Sequence, residues 1–276
     1  MLLVVTSAVL ITGCKKEKSG DADNDTTSSN DNALAESATN DVSNISDEAN
    51  LGSLTSYKAE DVNGILTGSC ATITRDSMNH ADADTMTIDF GNTNCTCLDG
   101  RSRRGKIIIY HTGRYRDSLT TWTTTFSDYY VDDNQATGTR TGTNNGRNAA
   151  GHLSWTITAN MSIILASGGG TVSWSATRTR EMTEGESTLI RTDDKYSITG
   201  SASGTSAKGV SYTMNIDSSN PLIRDMSLGC RKHFTKGKFD LTPSGKLTRT
   251  VDFGDGTCDD KATVTVNGKT YEITLR

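Results

Sequence analysis

The sequence predicts an all-β protein, an antiparallel meander curled into a sandwich or open barrel and preceded by a disordered tether. Three observations carry this. Only 33% of the 276 residues are hydrophobic, while threonine alone supplies 43, with 26 Gly and 2 Pro. Such a mix starves a helical core and suits strands with one apolar and one hydroxyl face. Residues 153–165 alternate strictly: Leu153, Trp155, Ile157, Ala159, Met161, Ile163 and Leu165 share one parity, and Ser154, Thr156, Thr158, Asn160 and Ser162 the other. A period of two over such a length is a half-buried strand. Residues 15–50, by contrast, show no periodicity and are dominated by Asp, Asn, Ser, Thr and Ala.

The chain opens MLLVVTSAVLITGC. Its apolar run is too short to span a bilayer and suits a signal-peptide core. The segment Ile11-Thr12-Gly13-Cys14 resembles a bacterial lipobox, which implies that 1–13 is a lipoprotein signal peptide and Cys14 the acylated first residue of the mature chain. No Lys or Arg precedes the apolar run, a departure from the usual basic n-region. Acylation would anchor the protein to the outer membrane rather than thread it through.

Residues 14–50 are expected to be the lipidated cysteine and an acidic tether, with at most a frayed helix near 33–48. Between Lys15 and Asn50 stand nine acids and three lysines, about −6, so the whole-chain charge of −5 leaves 51–276 near +1. No basic field for nucleic acid is present. Asp21, Asp23 and Asp25 imitate the start of a calcium loop, but Thr26 stands where its glycine belongs and Asn32 where its glutamate belongs.

From 51 to 276 a single β domain is expected. Alternation recurs at Trp122, Phe126 and Tyr130; at Val172, Trp174 and Ala176; at Tyr196 and Ile198; at Val210, Tyr212, Met214 and Ile216; and at Val264 and Val266. Turn clusters separate these runs, among them Asp132-Asp133-Asn134, Gly168-Gly169-Gly170 and Asn267-Gly268.

A duplication frames the meander. Thr87-Ile88-Asp89-Phe90-Gly91 is followed by Cys95 and Gly105-Lys106; Thr250-Val251-Asp252-Phe253-Gly254 is followed by Cys258 and Gly268-Lys269, at equal spacings. It predicts related terminal hairpins, about 85–112 and 248–275. Matched cysteines at matched places predict disulfides Cys70–Cys95 and Cys230–Cys258, with Cys97 an unpaired thiol. The alternative is Cys70–Cys97, because Cys97 shares a strand face with Cys95.

The lipobox, the stretches Tyr129-Tyr130-Val131, Gly138-Thr139-Arg140-Thr141 and Tyr196-Ser197-Ile198-Thr199-Gly200, and the closing Asp252-Phe253-Gly254-Asp255-Gly256-Thr257-Cys258 together resemble a group of Bacteroidota envelope lipoproteins. The resemblance implies an envelope location and a β-rich ectodomain, and it brings no activity.

Chemical signatures are sparse. His80, His111, His152 and His233 form no His-x-x-x-His pair, and no Gly-x-Ser-x-Gly elbow occurs. Glu181, Glu184 and Glu186 are expected in a loop within reach of Arg178 and Arg180, as a solvated charge cluster rather than a glycosidase pair. Asp252, Asp255, Asp259 and Asp260 read as turn caps rather than a cation site. No catalytic residue, metal site or cofactor is expected. Trp122, Tyr130, Trp155 and Trp174 share the core parity. Tyr129 faces the other way and is the candidate ligand-facing ring. Thr121, Thr123 and Thr125, with Thr137, Thr139, Thr141 and Thr143, form a hydroxyl face.

The expected function is a non-enzymatic binding or scaffolding domain on an envelope anchor, its partners the bilayer through Cys14 and a glycan or envelope protein. The competing class is a secreted β-sandwich hydrolase acting on glycans.

Overall fold

The computed structural model describes residues 25–51, 70–76, 83–113, 117–188 and 190–275. It consists of one helix, α1 (Thr27–Leu51), and a single antiparallel sheet. The strands are β1 (Thr72–Arg75), β2 (Asp84–Asp89), β3 (Cys95–Thr96), β4 (Ser102–His111), β5 (Thr121–Val131), β6 (Asn134–Arg147), β7 (Leu153–Ile164), β8 (Thr171–Glu184), β9 (Lys195–Thr205), β10 (Ser211–Ile216), β11 (Leu222–Asp225), β12 (Lys236–Pro243), β13 (Arg249–Asp255), β14 (Lys261–Val266) and β15 (Lys269–Thr274). They pair mostly with their sequence neighbours, from β1 at one edge to β15 at the other. β3 pairs β4, and β11 bridges β9 and β12. The all-β meander expected from period-two patterning is therefore the fold.

The sheet buries one face, and what it buries that face against is α1. The helix is buried nearly all round: Ser29, Asn32 and Ile45 are fully enclosed, and Ala35, Ala38, Val42 and Ala49 almost so. Side chains of β1, β4, β5, β6, β7 and β8 bond to it, and Arg249 of β13 reaches the Asp25 carbonyl just before it. A sheet that touches one helix from so many successive strands must curl around it.

This corrects the tether reading for the described part of residues 15–50. Asp25 caps the helix start, its Oδ1 accepting from the Thr27 amide at 2.9 Å. Ala35, Ala38, Val42, Ile45 and Ala49 follow a three-four spacing that makes a narrow apolar seam. The rest of the helix surface is polar, and a helix polar on most faces has no stability of its own in water. The sheet supplies it. Residues 1–24, including Cys14, Asp21 and Asp23, lie outside the described residues.

Two backbone features set which side chains point in. Gly105 adopts φ 82°, and a Cβ there would fall 1.9 Å from the Asp128 carbonyl oxygen. The β4–β5 register shifts beside it, between Arg104 and Lys106, and Asp128 takes φ 45°. Such a bulge reverses the in–out alternation downstream. Further along, Gly142 lies beneath Trp122, whose ring atoms a Cβ would meet at 2.0 Å. Glycine there lets the indole lie flat on the inner face of the sheet.

The duplicated motifs make the same turn twice. Asp89 Oδ1 accepts from the Gly91 amide at 2.8 Å, and Asp252 Oδ1 from the Gly254 amide at 2.9 Å. A lysine binds the other oxygen in each: Lys106 to Asp89 at 2.9 Å and Lys238 to Asp252 at 2.8 Å. The copies then diverge. Lys106 stands on the strand after its motif, Lys238 on the strand before. Gly105 lies within β4 opposite the bulge in β5, whereas Gly268 is in the tight turn between β14 and β15. Disulfides join Cys70 to Cys95 and Cys230 to Cys258, and Cys97 is a free, buried thiol.

Candidate functional site: a helix-filled interior and a hydroxyl-lined outer groove

The interior is an arginine–carboxylate lattice. α1 carries Asp31, Glu36, Asp41, Asp47 and Glu48 and no Lys or Arg. Asp31 accepts from the Ala207 amide, and inward-pointing arginines of the strands, with Arg191 just before β9, meet the other four. Arg103 of β4 bonds Asp41 at 2.5 Å and Asp99 at 2.6 Å. Arg178 and Arg180 of β8 reach Glu36 and Asp47, the second at 2.9 Å. Arg191 reaches Glu48 at 3.4 Å and the Asn44 carbonyl at 3.0 Å. Arg140 of β6 donates to Ser43 Oγ at 2.8 Å. At the helix start Lys246 pairs with Asp25, and Arg249 Nε donates to the Asp25 carbonyl at 2.9 Å. Hydrogen bonding from Lys246, then from Thr27, holds the Asp25 carboxyl well below the usual range.

Tyr129 belongs to this lattice, which corrects its reading as a ligand-facing ring. It is fully buried, and its hydroxyl donates to Asp41 Oδ2 at 3.2 Å. The bulge at Gly105 and Asp128 turns it inward, and burial pushes its phenol well above the ordinary value. Tyr130 instead lies toward the outside, with the Arg104 guanidinium stacked 3.8 Å from its ring centre. Trp122, Trp155 and Trp174 are buried, as their parity implies.

The three glutamates also part company with expectation. Glu181 lies on β8, not in a loop, and Arg178 and Arg180 point to the opposite side, into the helix. Glu181 binds His152 Nδ1 at 2.5 Å, Glu184 binds Lys195 at 3.0 Å, and Glu186 binds Arg147 at 2.5 Å. His111 is buried beside Arg75 and Asp84, and its imidazole is pulled down to about 4, chiefly by burial. His80 lies outside the described residues. Asp252 and Asp259 accept from backbone amides two residues on, as turn caps do. Among the described residues no cluster of His, Cys, Asp and Glu could hold a metal ion. Cys97 is buried, and burial raises its thiol despite Arg103 nearby.

The outer face is a lattice of hydroxyls. Register places Thr121, Thr143, Thr156, Thr179 and Thr199 side by side across five strands. The next row is Thr123, Thr141, Thr158, Thr177 and Ser201, and the one after it Thr125, Thr139, Asn160, Ser175 and Ser203. Neighbours repeat at ~4.8 Å across the strands and ~6.8 Å along them. Where β7, β8, β9, β10 and β12 run side by side, this face sinks into an open groove of about 890 Å³. Ser173, Ser175, Ser203 and Ser211 line it together with Met161, Trp174 and Tyr212, and the turn after β12 closes one end. Lys246, already paired with Asp25, is the one charged residue of its lining.

The threonine face was legible in sequence only strand by strand; that the rows align is a matter of register. The arginine lattice had a signal, since Arg178 and Arg180 share the parity of Trp174 and Ala176. Comparison of this chain with protein-family models, with curated proteins and with solved structures finds no match.

Proposed function

We propose that the chain is a membrane-anchored envelope lipoprotein whose β domain binds a neutral, polyhydroxylated ligand of the glycan class without transforming it. The observation that carries this reading is the groove: open, free of unpaired charge, and lined by serine and threonine hydroxyls together with Met161, Trp174, Tyr212 and Pro243, the mixed polar and apolar surface a sugar presents in return. Serine and threonine hydroxyls both donate and accept, which matches the edges of a sugar. The helix fills the space inside the sheet, so the outer face is where a ligand of this size has room. The carboxylates inside are held in ion pairs with arginine, a structural rather than a proton-transferring arrangement.

The anchor reading rests on the lipobox at Cys14. Only residues 15–26 separate that cysteine from the helix start at Thr27. Even fully extended, twelve residues reach about 40 Å, which would keep the domain close to the membrane.

A second reading, glycan hydrolysis, is favoured by the His152–Glu181 hydrogen bond, a pairing that can move a proton. Neither residue lines the groove. A glycan array on the purified domain, followed by titration of the strongest hit, tests the proposal. Ser175→Lys and Ser203→Lys should each weaken binding at least tenfold while leaving the ligand chemically intact. Release of shortened sugars, lost in His152→Ala, would replace binding with hydrolysis. Unchanged affinity in both lysine variants would remove the groove from consideration.

A further inference from the structure

A second, much smaller cavity lies beside the middle of α1, between the β3–β4 connection and the segment that runs from β11 toward β12. Its lining comes from three places: Ser37, Asp41 and Asn44 on the helix; Asp99 and Arg101 after the Cys70–Cys95 bridge; and Arg224, Arg231 and Lys232 around the Cys230–Cys258 bridge. It offers about 10 Å³, room for a single atom-sized occupant.

The charge around that space is lopsided. Four cations line it against two carboxylates, and both carboxylates are already bound to Arg103, itself fully buried. Arg101 is held by Ser37 Oγ at 2.8 Å. Arg224 is only 3% exposed. One of its terminal nitrogens donates to the Arg231 carbonyl at 3.1 Å, a carbonyl that also accepts from Asn44 at 3.3 Å. Its Nε is buried with no hydrogen-bond partner among the described residues. A buried guanidinium nitrogen without an acceptor is costly.

Two further signs agree. Arg224 is pulled down to about 9, by burial first and then by the charge of Arg180, with Asp47 opposing. His233, close by, is pulled down to about 4, by burial first and then by Arg101, against Asp260 and with Lys232 and Arg224 adding to the effect. Burial is the larger cause in both groups, and neighbouring cations add to it.

We infer that this cavity is a binding site for one small monatomic anion, a halide such as chloride, with Arg224 as its buried donor. The size excludes sulfate, phosphate and carboxylates. The charge favours an anion over water. An ion there would touch the helix, the β3–β4 connection and the β11–β12 segment, and so would fasten both disulfide-bearing segments to α1. The site is separate from the outer groove and does not depend on the proposal made for it.

The test compares thermal unfolding of the full domain in sodium chloride, bromide, gluconate and sulfate at matched ionic strength. Chloride and bromide should raise the midpoint by several degrees in a saturable way, and gluconate and sulfate should not. Arg224→Met should lose the halide dependence, and Arg224→Lys should keep a weaker form of it. Should the methionine variant not fold, anomalous diffraction from a bromide-soaked wild-type crystal decides. A bromide peak within about 3.5 Å of Arg224 Nε supports the site. A water there, equal midpoints in all four salts, or a folded methionine variant that keeps the halide response would each overturn it.

Discussion

Asp41 and Arg103 stand 62 residues apart in sequence and share two hydrogen bonds, Nη2 to Oδ1 at 2.5 Å and Nε to Oδ2 at 3.2 Å. Asp99 takes two further donors of the same guanidinium, and Tyr129 donates to the Asp41 carboxylate. One helix residue thereby fixes β4, β5 and the loop between β3 and β4. The pattern repeats along the helix with Arg178, Arg180 and Arg191, and it explains why a helix with so little apolar surface stays inside a sheet.

Breaking one such pair should cost more than removing both members. Glu36→Ala leaves Arg178 charged in the interior and should destabilise by about 3–5 kcal/mol. Glu36→Leu combined with Arg178→Met should cost less than that single change. Urea unfolding of both variants checks it; a double variant worse than the single would mean the pair contributes net stability.

The helix should depend on the sheet for its existence. A peptide of residues 27–51 should show little helix by circular dichroism in water, because nucleation is unfavourable and the seam is narrow. In the whole domain its amides should exchange as slowly as those of β7. A strongly helical free peptide would place the cause in the sequence rather than in the lattice.

Stability should fall with acid in two stages. His111 in the folded chain is held near 4 by burial, then by Arg75, with Asp84 opposing; an unfolded histidine titrates near 6.5. Between those values the unfolded state binds more protons, so stability rises with pH. The contribution is complete above ~6.5 and is lost as pH drops toward 4, roughly 3 kcal/mol for this residue. His233 is shifted in the same direction. Below ~4 the loss continues as Asp25 and Asp99 protonate, since both sit below their ordinary value in the folded chain. For Asp99, burial works upward and is outweighed by Arg103. Urea midpoints from pH 8 to pH 3 should trace this, and His111→Gln should flatten the upper stage.

Removing the C-terminal bridge should separate its role from that of the lattice. The double substitution Cys230→Ser, Cys258→Ser opens a loop of 28 residues and should cost roughly 3 kcal/mol in the chain-entropy picture. Peptide mapping without reductant should recover Cys70–Cys95 and Cys230–Cys258; a Cys70–Cys97 peptide would contradict the first pairing.

The anchor can be tested in the cell. Cys14→Ser should move the protein from the membrane fraction to the soluble periplasm. Retention in washed membranes would show that something other than a lipid on Cys14 holds it.

Much of the fold was written in local pattern. Strict alternation along β7 and β8 fixed the strands, because side chains on a strand point to opposite faces. The Asp-Phe-Gly duplication pointed to the disulfides, because equal spacing places equal cysteines at equal turns. The sequence even carried the seam Ala35, Ala38, Val42, Ile45 and Ala49, but small residues amid carboxylates read as a solvated chain. What turned that segment into a core helix was charge matching at long range: Glu36 and Arg178 are 142 residues apart, and no local window contains both. Tyr129 shows the same limit at smaller scale. Its parity pointed outward, and a bulge set by the contact of Gly105 with the Asp128 carbonyl turned it in. Periodicity is a property of neighbours along the chain, so the sequence could specify strands and staples. Register, bulges and ion pairs are properties of neighbours in space, so only the curled sheet decided what fills its interior and which hydroxyls line up on its outer face.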